Sequence, residues 1–286
     1  MQTLDDIRVA LNRGCAVPYL GPGMLALAAQ AGPGDPPPGM SAEALVGRLT
    51  TRISVPHKIR NNLGAATQFI ENFKHRKTVR AFMTEAFGVE LRPSTVHYWL
   101  ASQPSLPLLI HAWYDDLPQR ALAARADWGV VQGVSQAEHA GAWVQYFSAS
   151  GVPVQPDMAE TWPSLLYQPI GSVSPAANFL VSDSDFVEVL TEIDIQTPIP
   201  PAVQERRAGR SFLFLGCRFA SQIERSFARQ IMKRSSDRHW AVLPETPTRN
   251  EERFLAEQNI ERIPLPIAVF MSLLDGLAVA SAAIAP

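Results

Sequence analysis

The sequence predicts an α/β fold with a parallel sheet, and its clearest element is the apolar run 212–215, which ends at Gly216. An amphipathic helix follows this run, with Ile223, Phe227 and Ile231 on one face. A buried strand, a glycine turn and a helix in this order are typical of an open α/β sheet, in which ligands bind at the carboxyl ends of the strands.

Two further observations support this fold class. Residues 16–20 form a second apolar run, which ends at Gly21-Pro22-Gly23 and predicts the same kind of turn. In the second half of the chain, short apolar runs alternate with helical patterns, an order that favours parallel pairing and right-handed crossovers. We therefore expect a three-layer, Rossmann-like sheet with helices on both faces.

The first half of the chain is predicted to be mainly helical around two strands. Leu4, Ile7 and Leu11 have helical spacing, and Ser41 and Ser94 are suitable N-caps for later helices. The predicted elements are a helix over 3–13, a strand over 16–20, an irregular proline-rich loop over 32–39, a helix from 41, two helices over 58–87, a short helix from 94, a strand over 106–111 and a helix that ends near 124. We expect one domain over residues 1–286, with a helical insertion over residues 41–100.

The second half is predicted from short apolar runs and helix caps. Asp183 or Ser182 can cap a helix, and the charged stretch 249–258 has the spacing of another. The predicted elements are strand-like residues 127–155, a strand over 165–167, a helix from 183, the strand over 212–215 with its helix, a strand over 239–243, a helix over 249–258, a strand over 260–265 and a last apolar helix.

Composition excludes several classes of protein. The 286 residues are 47% hydrophobic and 18% charged, and the net charge of -2 gives no general attraction to nucleic acid or an anionic membrane. No apolar run reaches the roughly 18–20 residues that span a bilayer, and the acidic start is unlike a secretory signal, so we expect a cytoplasmic protein. Cys15 and Cys217 are too few for a disulfide framework, and no ligand spacing predicts a metal site.

The two glycine turns suggest a nucleotide-shaped crevice. Gly21 and Gly23 could let a pyrophosphate approach the backbone at a helix N-terminus, or they could serve packing alone. Gly216 and Arg218 could flank an adenosine or phosphate group, or form an ordinary strand-end turn with a solvent-facing arginine. A basic stretch at residues 74–77 is expected to be a solvated helix face.

The order of these blocks resembles the SIR2-like family, the sirtuin relatives common in bacteria. Members of the family have a GAG-x-S turn that holds the pyrophosphate of NAD, a strand ending in T-T-N-Y-D, a short strand ending in His-Gly, and a late L-F-L-G-x-S strand and turn. The corresponding blocks here are Tyr19-Leu20-Gly21-Pro22-Gly23-Met24-Leu25, His111-Ala112-Trp113-Tyr114-Asp115-Asp116, Leu166-Tyr167-Gln168-Pro169-Ile170-Gly171-Ser172 and Phe212-Leu213-Phe214-Leu215-Gly216-Cys217-Arg218. The resemblance implies a NAD or ADP-ribose site that includes Gly21, Gly23, Trp113, Gly171, Gly216 and Arg218.

The chain departs from the family pattern at the positions that carry its chemistry. Leu25 stands at the turn serine, Trp113 at the asparagine near the nicotinamide ribose and Ile170 at the histidine base. A hydrocarbon side chain cannot accept a proton, and Pro22 has no N–H to offer a phosphate. These departures predict a nucleotide-type fold that has lost NAD cleavage and acts as a binding, regulatory or scaffold protein.

Two alternatives remain open from the sequence. The first is an active NAD-consuming enzyme, a glycohydrolase or deacylase, in which His111 replaces the lost base and Asp115 assists it. For Asp115 the competing role is a cap for the next helix, and for His111 it is a packed histidine. The second alternative is a scaffold that binds a protein partner or a second copy of itself through the apolar stretch 279–285.

Overall fold

A computed structural model describes residues 2–30, 41–195 and 199–275, with side chains omitted at residues 29–30, 192–195 and 275. The predicted loop over 32–39 and the apolar stretch 279–285 lie outside the described residues. The helices of the described part are α1 Gln2–Asn12, α2 Ala42–Arg52, α3 Leu63–Lys74, α4 Arg76–Phe87, α5 Thr95–Ala101, α6 Leu117–Leu122, α7 Asp183–Ile195, α8 Pro201–Arg207, α9 Gln222–Met232, α10 Arg249–Glu257 and α11 Ile267–Asp275.

The strands predicted over 16–20, 106–111, 165–167, 212–215, 239–243 and 260–265 occur at nearly the same positions, and the structure adds several short strands. The strands are β1 Ala16–Leu20, β2 Ala29–Gln30, β3 Leu91–Arg92, β4 Leu108–His111, β5 Trp128–Gly133, β6 Val144–Ser148, β7 Pro153–Val154, β8 Ser164–Gln168, β9 Gly171–Ser172, β10 Asn178–Phe179, β11 Ser211–Leu215, β12 His239–Val242 and β13 Ile260–Ile263. Nine of them form one sheet in the order β13-β12-β11-β1-β4-β8-β5-β6-β7.

The sheet is parallel from β13 to β5, which confirms the predicted fold class. The expectation of parallel pairing throughout the second half is wrong for β6 and β7, which run antiparallel at one edge. Only about ten residues separate β5 from β6, and a parallel connection needs a crossover of a dozen or more residues, so the chain turns back as a hairpin.

Helices cover both faces of the sheet, and side chains alternate between two cores. Along β1, Val17 and Tyr19 pack into the core under α2, α3, α4, α8 and α9, whereas Ala16 and Leu20 pack into the core under α1, α5, α6 and α11. This alternation follows from the two-residue period of a strand buried on both faces. We call these the insertion face and the terminal face, because α2–α4 of the predicted insertion cover the first and the terminal helices α1 and α11 cover the second.

The pairing of β1 with β11 places the two glycine turns against each other. Leu20 is in register with Leu215, so the next residues, Gly21 and Gly216, meet at the same edge of the sheet. A Cβ added to Gly21 would lie 2.6 Å from the Gly216 carbonyl oxygen, and one added to Gly216 would lie 2.5 Å from the Met24 nitrogen. Gly216 also has a positive φ of 68°. The glycines are therefore required by a backbone-to-backbone contact.

A buried ion network joins the insertion to the rest of the insertion face. Arg76 on α4 contacts the carboxylates of Glu71, Asp185 and Glu138, and it donates to the Phe179 carbonyl. Its side chain is only 13% exposed, so the prediction of a solvated basic face is wrong for this residue. Glu71 on α3 and Asp185 on α7 reach Arg76 because α3 packs against both α4 and α7, and Glu138 reaches it from the connection between β5 and β6.

We predict that Gly216→Ala destabilises the fold far more than Gly209→Ala. Both glycines have φ near +65°, but a methyl group at residue 209 meets open space, whereas one at residue 216 meets the Met24 nitrogen. The Gly209 variant should lose about 1 kcal/mol of unfolding free energy, from the left-handed conformation alone. The Gly216 variant should lose at least twice as much, as measured by urea denaturation. Equal losses would contradict the close contact of the turns.

We predict that Arg76→Met lowers the free energy of unfolding by about 3 kcal/mol or more, because it leaves buried carboxylates without their cation. Arg52→Met is the matched control, since Arg52 pairs with Glu85 at 2.6 Å where both side chains are at least half exposed. The control should change the chemical denaturation midpoint much less. A similar shift in both variants would show that the Arg76 network adds nothing to stability.

Candidate functional site

A cavity of about 390 Å³ lies on the insertion face at the carboxyl ends of β1, β4 and β11. This position, beside the strand at which the sheet order changes direction, is where open α/β sheets bind ligands. The lining comes from both glycine turns, the loop after β4, the loop before α3, and the first turns of α7 and α9. Its volume is within the range of small-molecule sites.

The N–H groups of the first glycine turn already have partners within the protein. Gly21 donates to the Leu215 carbonyl at 2.9 Å, and Gly23 donates to the Gly216 carbonyl at 2.8 Å. Pro22 has no N–H, and the residues that follow form a six-residue 3-10 helix rather than the α-helix that the sequence suggested for a pyrophosphate. The first turn therefore serves the contact with β11, and it offers few free donors to a phosphate.

Arg218 borders the cavity, but its guanidinium is held by carboxylates. Its Nε and Nη2 atoms donate to the two carboxylate oxygens of Glu251 at 2.9 and 3.1 Å, and Nη1 lies 3.3 Å from Glu245. Glu251 is fully buried and also accepts the Thr248 N–H, and these contacts hold the pKa of Glu251 below its ordinary value despite burial. The side chain is 39% exposed, so it is neither the free phosphate ligand nor the wholly solvated arginine that the sequence left open.

Trp113 and Ile170 form part of the cavity wall. Both are at least nine-tenths buried. The Trp113 ring packs 4.9 Å from the ring of Tyr114 and edge-on to Phe87 at 6.0 Å, and the Tyr114 hydroxyl donates to the Leu180 carbonyl. An indole fixed in this way is a rigid wall of the cavity, and beside it Ile170 presents only hydrocarbon.

Two carboxylates that sequence reasoning did not select also line the cavity. Glu224 is in the first turn of α9, where one carboxylate oxygen accepts the Ser221 N–H at 2.8 Å, and Asp183 begins α7. Neither has a cationic partner within ion-pair distance among the described residues. Burial raises the pKa of both carboxyl groups above their ordinary values.

Tyr19 and Cys217 add two polar atoms to the same wall. Tyr19 is 5% exposed, and its hydroxyl makes no hydrogen bond with any described residue. The Cys217 thiol contacts the Tyr19 carbonyl at 3.6 Å. Burial, followed by the nearby Glu224, raises the pKa of Cys217 well above its ordinary value, so the thiol stays protonated and is a poor nucleophile.

His111 lies on the opposite side of the sheet from the cavity. It follows Ile110 on β4, so its side chain is on the terminal face, where Nε2 lies 3.3 Å from an Asp115 oxygen. The other Asp115 oxygen, Oδ1, accepts the Leu117 N–H, which is the capping role considered for it from the sequence. Although His111 ends a strand at the crevice edge, neither His111 nor Asp115 lines the cavity, so the structure does not place them as a relocated base.

His97 joins this buried polar cluster from α5. Its Nδ1 lies 2.8 Å from the Ser94 Oγ and accepts the Ser94 N–H in a capping box. Burial, with a smaller contribution from His111, lowers the pKa of His97 to about 4, whereas Asp115 opposes this shift. The His97 imidazole is thus a neutral helix cap at ordinary pH.

Gly171 is the first residue of β9 in the β9–β10 hairpin, and it is not in the cavity lining. Its φ is +80°, and a Cβ would lie 2.1 Å from the Asn178 carbonyl oxygen. The neighbouring Ser172 hydroxyl donates to the Asp115 carbonyl at 2.9 Å, which ties this hairpin to the loop that carries Trp113. Gly171 therefore helps to position the loop that carries Trp113, but it does not itself line the cavity.

The described residues were also compared with the requirements of a metal site and of a membrane span. Within residues 2–30, 41–195 and 199–275, no group of three or more His, Cys, Asp or Glu side chains could hold a metal ion. None of the helices described for this chain is long and apolar enough to cross a bilayer.

One signal in the sequence could have identified Glu224. Ser221 and Glu224 have the spacing of a capping box, which places the glutamate in the first turn of the helix directly after the Gly216 turn. Asp183 was recognised only as a helix cap. Its place in the cavity depends on the packing of α7 against α3 and α9, which spacing along the chain does not reveal.

Comparison with protein-family models identifies a family. A family model described as SIR2-like domain matches residues 107–263, which is more than half of the 286 residues. The matched stretch runs from β4 to β13 and includes Trp113, Ile170, Arg218 and both cavity carboxylates. No curated protein shows significant similarity to the chain.

We predict that His97 makes the fold less stable in acid. The unfolded chain binds a proton on this residue below about pH 6.5, but the folded chain does so only near pH 4, so acidification across this interval favours unfolding. His97→Gln keeps an acceptor for the Ser94 N–H and should remove up to about 3 kcal/mol of this loss, measured as the difference in unfolding free energy between pH 7 and pH 4.5. An unchanged slope in His97→Gln would contradict the prediction.

Proposed function

The chain belongs to the SIR2-like family, and we propose that it is a binding protein of this family that does not cleave NAD. The observation that carries this proposal is the wall of the cavity. Trp113 and Ile170 stand where the resemblance implies an asparagine and a histidine base, and no imidazole lines the cavity among the described residues. An indole and a hydrocarbon cannot take up a proton during nicotinamide release.

The fold of the family is NAD-related, but the residues present do not fit a pyrophosphate. The Gly23 N–H is committed to the Gly216 carbonyl, and the Arg218 guanidinium is committed to Glu251. A diphosphate at this edge would meet two carboxylates and no unpaired cation of the described lining. We therefore propose that the cavity binds a small molecule and that the chain acts as a regulatory or scaffold protein, toward a protein partner or a second copy of itself.

One observation favours a second function, an active NAD-consuming enzyme with a replaced base. Glu224 lines the cavity, and burial raises the pKa of its carboxyl group, as in many general acid–base catalysts. In this second function, Glu224 would be the general base that takes up a proton during NAD cleavage, and His111, which does not line the cavity, would not.

We predict that the purified chain releases no nicotinamide from NAD above the rate of a protein-free blank, measured by chromatography over hours. Glu224→Gln and His111→Ala should give the same blank rate, because neither side chain then has a catalytic role. Release that survives repeated purification would overturn the binding-protein proposal. If Glu224→Gln then abolished the release while the exposed Asp157→Asn did not, Glu224 would be established as the base of the second function.

A further inference from the structure

The charge of the cavity lining differs from what a dinucleotide needs. Arg218 is the one cationic side chain in the described lining, and Glu251 and Glu245 already neutralise it. Glu224 and Asp183 bring two further carboxylates without a cation. No lysine, arginine or histidine occurs at residues 1, 31–40, 196–198 or 276–286, so the rest of the chain has no basic side chain to add.

The remaining lining combines aromatic and aliphatic side chains with a few neutral polar ones. The neutral polar groups belong to Asn61, Asn62, Ser221, Tyr19 and Cys217, and the large apolar side chains include Trp113, Tyr114, Phe186, Phe219, Phe227 and Ile223. Several of these rings are held by other rings, such as Phe227 by Phe186 at 5.8 Å in an edge-on contact. A rigid aromatic wall next to unpaired carboxylates favours an organic cation over an anion, through both Coulomb attraction and cation–π contact.

A third feature is the unpaired Tyr19 hydroxyl. Tyr19 is more than nine-tenths buried, lines the cavity, and makes no hydrogen bond with any described residue. Because Tyr19 lines the cavity, its hydroxyl is available to donate a hydrogen bond to a polar group of a bound ligand or to accept one from it.

From these three features we infer that the cavity binds a phosphate-free organic cation, in which a protonated amine is attached to an aromatic or other apolar body. The amine would lie near Glu224 and Asp183, and the apolar body would pack on Trp113 and its aromatic neighbours. This inference depends on the proposed binding function and names its class of ligand. Phosphate-containing nucleotides are the class that it excludes.

Calorimetric titration with an indole series tests the inference. Tryptamine is the cationic probe, tryptophol its neutral isostere and indole-3-acetate its anionic isostere, and ADP-ribose represents the phosphate class. We expect tryptamine to bind at least about tenfold more tightly than tryptophol, and the two anions to give no measurable heat. Glu224→Gln and Asp183→Asn should each reduce the preference for tryptamine over tryptophol, and Asp157→Asn, at an exposed position, should leave it unchanged.

Each other outcome would overturn the inference about the ligand, and none of them would decide whether the protein cleaves NAD. Equal binding of tryptamine and tryptophol would refute the charge preference but keep a binding cavity. Binding of ADP-ribose as tight as that of tryptamine would refute the exclusion of phosphate, again without restoring cleavage. Absence of binding by all four probes would refute the ligand class, whereas the claim that NAD is not cleaved is decided by nicotinamide release alone. Circular dichroism of each variant verifies that it is folded before titration.

Discussion

The pairing of β1 with β11 is the constraint on which the rest of the site depends. Register places Leu20 opposite Leu215, so the chain leaves both strands at one point and the two turns must share that space. Only glycine at residues 21 and 216 allows the backbones to approach so closely. The hydrogen bond from the Gly23 N–H to the Gly216 carbonyl then joins the turns. Because this N–H already has an acceptor within the protein, it is not available to donate to a phosphate oxygen.

The chemistry of the cavity follows from this closed edge. With the backbone donors engaged and Arg218 bound to Glu251, the ligand space is defined by side chains from the loop after β4 and from α9. Together with side chains of α7, they comprise an indole, several phenyl rings and two carboxylates without a cationic partner among the described residues. The chain thus has the SIR2-like architecture together with a cavity wall of apolar side chains and two carboxylates.

The sequence predicted the architecture well because the signals were local. Apolar runs that end at glycine, caps such as Ser41 and Ser94, and the alternation of strands with helices each depend on a few neighbouring residues. The antiparallel edge was not predicted, because it depends on the short connection along the chain between β5 and β6.

The site was predicted less well. His111 ends a strand at the right edge of the sheet, but the two-residue period puts its side chain on the far face. The ion pairs of the buried Arg76 include two with carboxylates from distant segments, Glu138 and Asp185.

The hydrogen bond of the Gly23 amide tests the central claim most directly. Selective ¹⁵N-glycine labelling of the 17 glycines, with assignment by substitution, allows hydrogen exchange of this amide to be followed by NMR. We predict slow exchange at Gly23 in the free protein and no change of its signal when ADP-ribose is added. Rapid exchange that becomes protected on addition of ADP-ribose would show that the turn is open to phosphate, and would contradict the structure described for this site.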